Sequence, residues 1–164
     1  MPTWTLTIHE RAYIFAKIRK CTILNKTKIM KKEQMGHIYT EISLGNAANN
    51  AVRPVTVNAL ADTGALMLCI PEHIVVQLQL EKIETREVML ADGKCTTVPY
   101  VGPIRVTFGE RQCFVGALVL GNEVLLGAVP MEDMDLVLNP ARQKVTVDPA
   151  SPNIPHSRVK KAAA

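Results

Sequence analysis

Aromatic side chains are scarce: the 164 residues include one Trp, three Tyr and three Phe, and Trp4, Tyr13 and Phe15 all precede Met35. A core beyond that point has to be built mainly from Val, Leu, Ile and Met, and the stacking platforms that single-stranded nucleic acids use are few. Cysteine is sparse as well. Cys21, Cys69, Cys95 and Cys113 form no C-x-x-C pair and have no histidine at metal-ligand spacing, so neither a zinc site nor a dithiol redox motif is expected. They read as reduced core or surface thiols. His37 and His73 are isolated in sequence, and a catalytic Cys/His pair would have to meet in space. No apolar run is long enough for a signal-peptide core or a membrane span, which gives the expectation of a cytoplasmic protein that does not enter a membrane.

Charge of one sign is concentrated at one end. Residues 1–34 hold eight Lys/Arg against two acids, whereas residues 35–164 hold eleven against thirteen. The first segment reads either as a nucleic-acid or membrane-surface arm or as a poorly ordered basic extension, and the second reading is preferred. A nucleic-acid partner is not expected, because the remainder is slightly acidic. Residues 149–164 begin with prolines, show no apolar periodicity and end in basic residues and alanines, so they read as a tail. Between the two lies a single expected domain, 35–148.

That domain reads as strands and turns. "GHIYTEISL" has strand-like alternation, "GNAANN" is a loop by composition, and "VRPVTVNALAD" brings the chain back as a hairpin ending at Asp62. "EHIVVQLQL" suits a short helix or a strand equally. Asp92-Gly93 is a hairpin-turn dipeptide between two β-rich arms. The acidic "MEDMD" suits one helical turn, and "LVLN" with "KVTV" suits a final strand pair turning at Asn139-Pro140. The fold class is small all-β.

Asp62 needs an explanation, because "ALADTGALMLCIP" sets a carboxylate inside an apolar run, where an unpaired charge is costly. Asp and Gly alone suit any turn. The flanking "ALA" and "ALMLCIP" place this one inside the core, where Thr63 and the Gly64 N–H are suitable donors to the carboxylate.

Three stretches in order, "ALADTGA" at 59–65, "VMLADGKCTTVPYVG" at 88–102 and "EVLLGAVPMEDMDLVLNP" at 123–140, resemble the retropepsin-like aspartic proteases, specifically their single-lobe bacterial and archaeal members, over about residues 36–148. The resemblance implies a closed acid-protease barrel with one short helix and one lobe per chain. It makes Asp62 the catalytic residue, with Thr63, Gly64 and Ala65 supporting its loop. Leu90, Ala91, Asp92 and Gly93 would form a flap over the cleft. Leu125, Leu126 and Gly127 would pass beneath the aspartate loop, where only glycine lets two backbones come so close.

Aspartic protease chemistry uses two carboxylates, and the chain holds a single Asp-Thr/Ser-Gly. A homodimer would therefore supply two copies of Asp62 that share one proton, with no cofactor and no metal. Substrate would be an extended peptide or protein segment, with Leu66, Leu90 and Val129 near its side chains. The chain departs from viral members in having Leu66 and Met67 after "DTGA" and bulky Lys94 and Thr96 near the flap tip; "HIYTEI" and "KVTV" are the candidates for a dimer-closing sheet. The alternatives are a catalytically silent dimerisation or peptide-binding module on the same fold and a sugar-kinase or actin-like phosphate loop, which needs glycine-rich segments absent from this sequence.

Overall fold

The structure, a computed structural model, describes residues 36–156, so the basic extension expected at 1–34 and the end of the tail, 157–164, lie outside the described residues. Chain contacts divide at Gly36/His37, and the fold below belongs to the unit that starts at His37. Among the described residues are nine strands and two short helices: β1 (Ile38–Asn46), β2 (Val55–Ala61), β3 (Leu68–Ile70), α1 (Glu72–Gln77), β4 (Glu81–Met89), β5 (Cys95–Phe108), β6 (Arg111–Val119), β7 (Leu125–Leu126), α2 (Ala128–Asp133), β8 (Leu136–Asn139) and β9 (Lys144–Val147). The all-β expectation holds, with one correction: there are two helices, not one. Pro71 begins α1 with an extended ψ, and Ile74 and Leu78, four residues apart, both turn inward. That spacing belongs to a helix, where side chains one turn apart share a face.

Strands β1 and β2 form the hairpin that leads to Asp62, with Ile38 opposite Ala61 and Ile42 opposite Val57. Their intervening loop is tied down by Asn46, whose Nδ2 donates to the carbonyls of Leu78 (3.0 Å) and Gln79 (3.1 Å). The same side chain's Oδ1 accepts from the N–H groups of Ala48 (2.9 Å) and Asn49 (3.0 Å), so both ends of the buried amide are satisfied. The large sheet runs β1-β2-β7-β3-β6-β5-β4, and β1 also pairs with the end of β5 from Ser43↔Thr107 to Asn46↔Ile104. Strands β8 and β9 form a separate antiparallel pair.

The core is aliphatic, as the shortage of aromatics requires. Ile42, Leu44, Leu68, Ile70, Leu78, Ile104, Val106, Leu126 and Met134 are buried in one cluster. A second, smaller cluster gathers Cys69, Val98 and Leu118 with Met67, Val88, Tyr100, Leu120 and Leu125. It links both arms of the β4–β5 hairpin to β3 and β7, through Tyr100, Val98 and Val88, up to two residues short of the turn that starts at Leu90.

The C-terminal tail is anchored where it starts. Ser151 is buried, its carbonyl accepts from Arg111 Nη2 and its hydroxyl donates to Asp135 Oδ2. The same carboxylate oxygen accepts from the His156 N–H at 3.2 Å. The Ser151 hydroxyl and then the His156 N–H hold the Asp135 carboxyl below the usual carboxylate range, with the charges of His156 and Arg111 adding to the effect. A carboxyl lowered by folding contributes stability above its unfolded value and loses that contribution as pH falls through the folded one. The anchor should therefore loosen in acid, below the ordinary aspartate value of about 4. Hydrogen-exchange protection at the Ser151 amide, which bonds to the Asp148 carbonyl at 3.0 Å, should fall over that range after correction for intrinsic exchange. Asp135→Asn should remove that dependence; equal protection at neutral and acid pH in the wild type would contradict it.

Candidate active site

Ala59 and Ala61 are buried at the end of β2, and β7 lies alongside in parallel, with Leu60 opposite Leu125 and Ala61 opposite Leu126. The chain then leaves the sheet at Asp62. The Asp62 N–H donates to the Leu126 carbonyl (3.1 Å), and the Leu60 N–H to that of Val124 (2.9 Å). The turn closes on itself through Ala65 N–H to the Asp62 carbonyl (3.2 Å) and Gly64 N–H to Asp62 Oδ1 (2.8 Å). Asp62 Oδ2 accepts no hydrogen bond among the described residues. One carboxylate oxygen is thus fixed by its own loop and the other is available.

Gly127 sets the depth of the site. A Cβ at this position would lie 2.3 Å from the Met67 carbonyl oxygen and 2.8 Å from that of Ala65, which no side chain tolerates against backbone. Just after it, the Ala128 N–H donates to the Ala65 carbonyl (2.8 Å) and the Val129 N–H to that of Leu66 (3.0 Å). These are two of the donors that the first turn of α2 would leave unpaired. Residues 60–66 are thereby joined to 124–129 by main-chain bonds on both sides of the carboxylate. Asp62, Thr63, Gly64, Ala65, Leu125, Leu126 and Gly127 come together as one assembly.

The turn does not lie inside the core as the flanking apolar residues suggest. Asp62 is half-buried, Thr63 and Gly64 are exposed, and Leu66 is 66% exposed. The apolar neighbours are those that anchor the loop in the sheet, and the turn itself stands clear of it.

The β4–β5 hairpin turns at Leu90–Lys94, closed by Leu90 N–H to the Lys94 carbonyl (2.8 Å) and Gly93 N–H to that of Leu90 (2.9 Å). Gly93 has φ +81°, a left-handed conformation suited to glycine. Asp92 serves the turn: its Oδ1 accepts from the Lys94 N–H (3.1 Å) and its Oδ2 pairs with Lys94 Nζ (2.8 Å). Those contacts hold its carboxyl below the usual range. Ala91, Asp92 and Gly93 are exposed, and among the described residues no hydrogen bond joins the tip to the Asp62 turn.

Of the three residues expected near substrate side chains, Val129 lines a groove of about 410 Å³ with Met67, Tyr100 and Phe114, and Leu66 and Leu90 do not. Phe114 is 60% exposed there, and Arg86 stacks on the Tyr100 ring 3.5 Å from its centroid. Sequence reading misses this groove because its residues come from five separated segments. It also misses a hollow of about 260 Å³ that joins Thr63 to α2 and β8.

Thiol chemistry is poorly served at the two buried cysteines, Cys69 and Cys113. Burial, and then the nearby Asp62 charge, push the Cys69 thiol up; burial, with Asp133 adding, pushes Cys113 up to about 12. Both stay protonated at neutral pH, and the protonated thiol is not the nucleophile. Among the described residues no three His, Cys, Asp or Glu side chains converge as a metal cluster would need, and no helix is long and apolar enough to cross a membrane.

No protein-family model matches the chain, and no curated protein matches it either. The class rests on the geometry alone: a β-rich domain that presents one Asp-Thr-Gly turn, clamped from below by Leu-Leu-Gly.

Gly127→Ala should test the clamp. The added methyl must displace the Met67 and Ala65 carbonyls, at a cost of about 1–3 kcal/mol or more as overpacking. Thermal or denaturant unfolding reads the loss, and an unchanged midpoint would show that the close approach is dispensable.

Proposed function

We propose that the chain is one half of a retropepsin-like aspartic endopeptidase, and that β1, β2, β7, β3, β6 and β5, whose pairings lead back to β1, form its closed barrel. The single observation that carries the reading is the main-chain joining of the Asp62 turn to the segment ending at Gly127. Such a frame holds a carboxylate at a surface with one oxygen free, which is what a shared catalytic site on a two-fold axis requires.

In the homodimer the two Asp62 carboxylates lie side by side and hold one proton between them, because two like charges at that separation do not both ionise. One Asp62 takes a proton from a water as it attacks the scissile carbonyl; the other, protonated, donates to the carbonyl oxygen. The intermediate then collapses, the C–N bond breaks, and the leaving amine takes a proton from the site. Substrate lies extended beneath the Leu90–Gly93 tips, bonded main chain to main chain as an added strand. The apolar cluster of Val88, Val98, Leu118 and Leu125 supports the flap arms against the floor.

Asp62→Asn keeps the size and the bond from Gly64 and removes the ionisable group, so it should fold and dimerise while losing peptide hydrolysis by about three orders of magnitude or more. Refolding wild type and Asp62→Asn in equal amounts should leave about one quarter of the activity, since random pairing makes one wild-type dimer in four. Half the activity in a verified random mixture would overturn the shared site. A wild type that binds peptide and never cleaves it would leave the silent module.

The shared proton also sets the pH dependence. Hydrolysis should follow a bell-shaped profile with an acidic optimum and should fall towards alkaline pH as the shared proton is lost. A rate that stays flat from acid to alkali would exclude the carboxylate pair.

A further inference from the structure

We propose that the hollow between the β1–β2 loop and the end of α1 binds the phosphate group of a small phosphorylated polyol. The hollow measures about 600 Å³, and its lining includes Asn49, Val52, Arg53, Pro54, Gln77 and Gln79; that volume is within the range of small-molecule sites. Three side-chain amides and one guanidinium face it, with no Asp or Glu in the lining. A metal cation would find no carboxylate there, whereas an oxyanion would meet donors. Strand β2 runs from Val55 at the hollow to Ala61 before the Asp62 turn, a separation of roughly 20 Å at the rise of a strand. The hollow is therefore a second place on the molecule, and its assignment does not depend on the catalytic reading.

Its two walls are fixed to one another. Buried Asn46 bridges them, donating to the Leu78 and Gln79 carbonyls on one side and accepting from the Ala48 and Asn49 N–H groups on the other. The N–H groups of Leu78, Gln79 and Leu80 bond to the carbonyls of Ile74 (2.9 Å), Val76 (3.1 Å) and Val75 (3.0 Å). The carbonyls of Ile74, Val75, Val76, Leu78 and Gln79, whose partial negative charge would oppose an anion at this end of α1, are thus engaged. Gln79 itself has φ +51°, in the left-handed position after a helix that usually falls to glycine. A side chain is kept there at a conformational cost, and that side chain lines the hollow.

The donors are uncommitted. Among the described residues no hydrogen bond or salt bridge takes the Arg53 guanidinium or the side-chain amides of Gln77 and Gln79. Asn49 Oδ1 accepts from the Ala51 N–H (3.0 Å), which leaves its Nδ2 to donate. A second guanidinium, that of Arg105, lies across Gly45 beside Pro54: a Cβ at Gly45 would be 3.5 Å from Arg105 Nη2 and 3.7 Å from Pro54 Cγ. Arg105 also has no acid partner among the described residues. Two positive charges with no negative one between them favour a phosphate dianion over a single carboxylate, and the flat guanidinium fork takes two phosphate oxygens at once. Amides both donate and accept, which suits hydroxyl groups. No aromatic ring lines the hollow for a base to stack on, so the class is a polyol phosphate and not a nucleotide.

Glycerol 3-phosphate is the probe, titrated into the full chain at constant ionic strength near neutral pH and followed by amide chemical shifts. Saturable shifts should centre on Asn49, Arg53, Gln77 and Gln79. Glycerol, which lacks the phosphate, and glycerate, which carries a carboxylate in its place, should each bind about 10-fold more weakly or worse. Arg53→Gln should raise the dissociation constant for glycerol 3-phosphate about 10-fold or more. Gln79→Gly should raise it about 3-fold or more with no loss in the unfolding midpoint, since glycine fits the left-handed φ; it removes a ligand contact without weakening the fold. Shifts that do not saturate, or that are as large at exposed Arg142 and Lys144 as at Arg53, would show general attraction to basic side chains and overturn the proposal. Glycerate binding as tightly as glycerol 3-phosphate, or an affinity unchanged in either variant, would overturn it as well.

Discussion

Two stretches of backbone, 60–66 and 124–129, approach so closely that no side chain fits between them, and the position of Asp62 depends on that approach. Gly127 makes it sterically possible. The main-chain bonds from Leu60, Asp62, Ala128 and Val129 make it stable. Each of those donors would otherwise be an unpaired N–H near the interior, which is costly enough that the arrangement is strongly preferred over a looser one. The carboxylate is therefore positioned by backbone on both sides and needs no side-chain partner to hold its loop.

Packing extends that frame to the hairpin above it. With so few aromatics, both apolar clusters rely on branched aliphatic side chains, which fill the space between sheet faces in few rotamers. The smaller cluster draws Val88 and Val98 from the hairpin arms, Cys69 from the strand after the Asp62 loop and Leu125 from the strand beneath it. The arms of the hairpin, up to two residues short of its turn, thus belong to the same packed unit as the carboxylate loop. Its tip is held only by its own turn and the Asp92–Lys94 pair among the described residues.

Exposure of the Asp-Thr-Gly turn follows from the same architecture. The carboxylate is half-buried with one engaged oxygen, and it stands next to an exposed Leu66. In the proposed dimer, a second copy of the same turn supplies the other carboxylate.

Sequence alone determined the local features. Alternation in "HIYTEISL" and the Asp92-Gly93 turn are properties of neighbours along the chain, so strand and turn are legible in the residues themselves, whereas the close approach at Gly127 is expected only from the resemblance. The apolar flanks also mark Asp62 as the residue to explain. They mislead about its burial, because flanking apolar residues report where a segment is anchored and not where its turn emerges. Whether "EHIVVQLQL" is helix or strand is undecided in sequence, since short apolar runs fit both periods; packing of Ile74 and Leu78 decides it. The groove beside Tyr100 and the latch of Ser151 on Asp135 and Arg111 each join residues far apart in the chain. Such contacts depend on which strands become neighbours in the sheet, and only the tertiary fold sets that order.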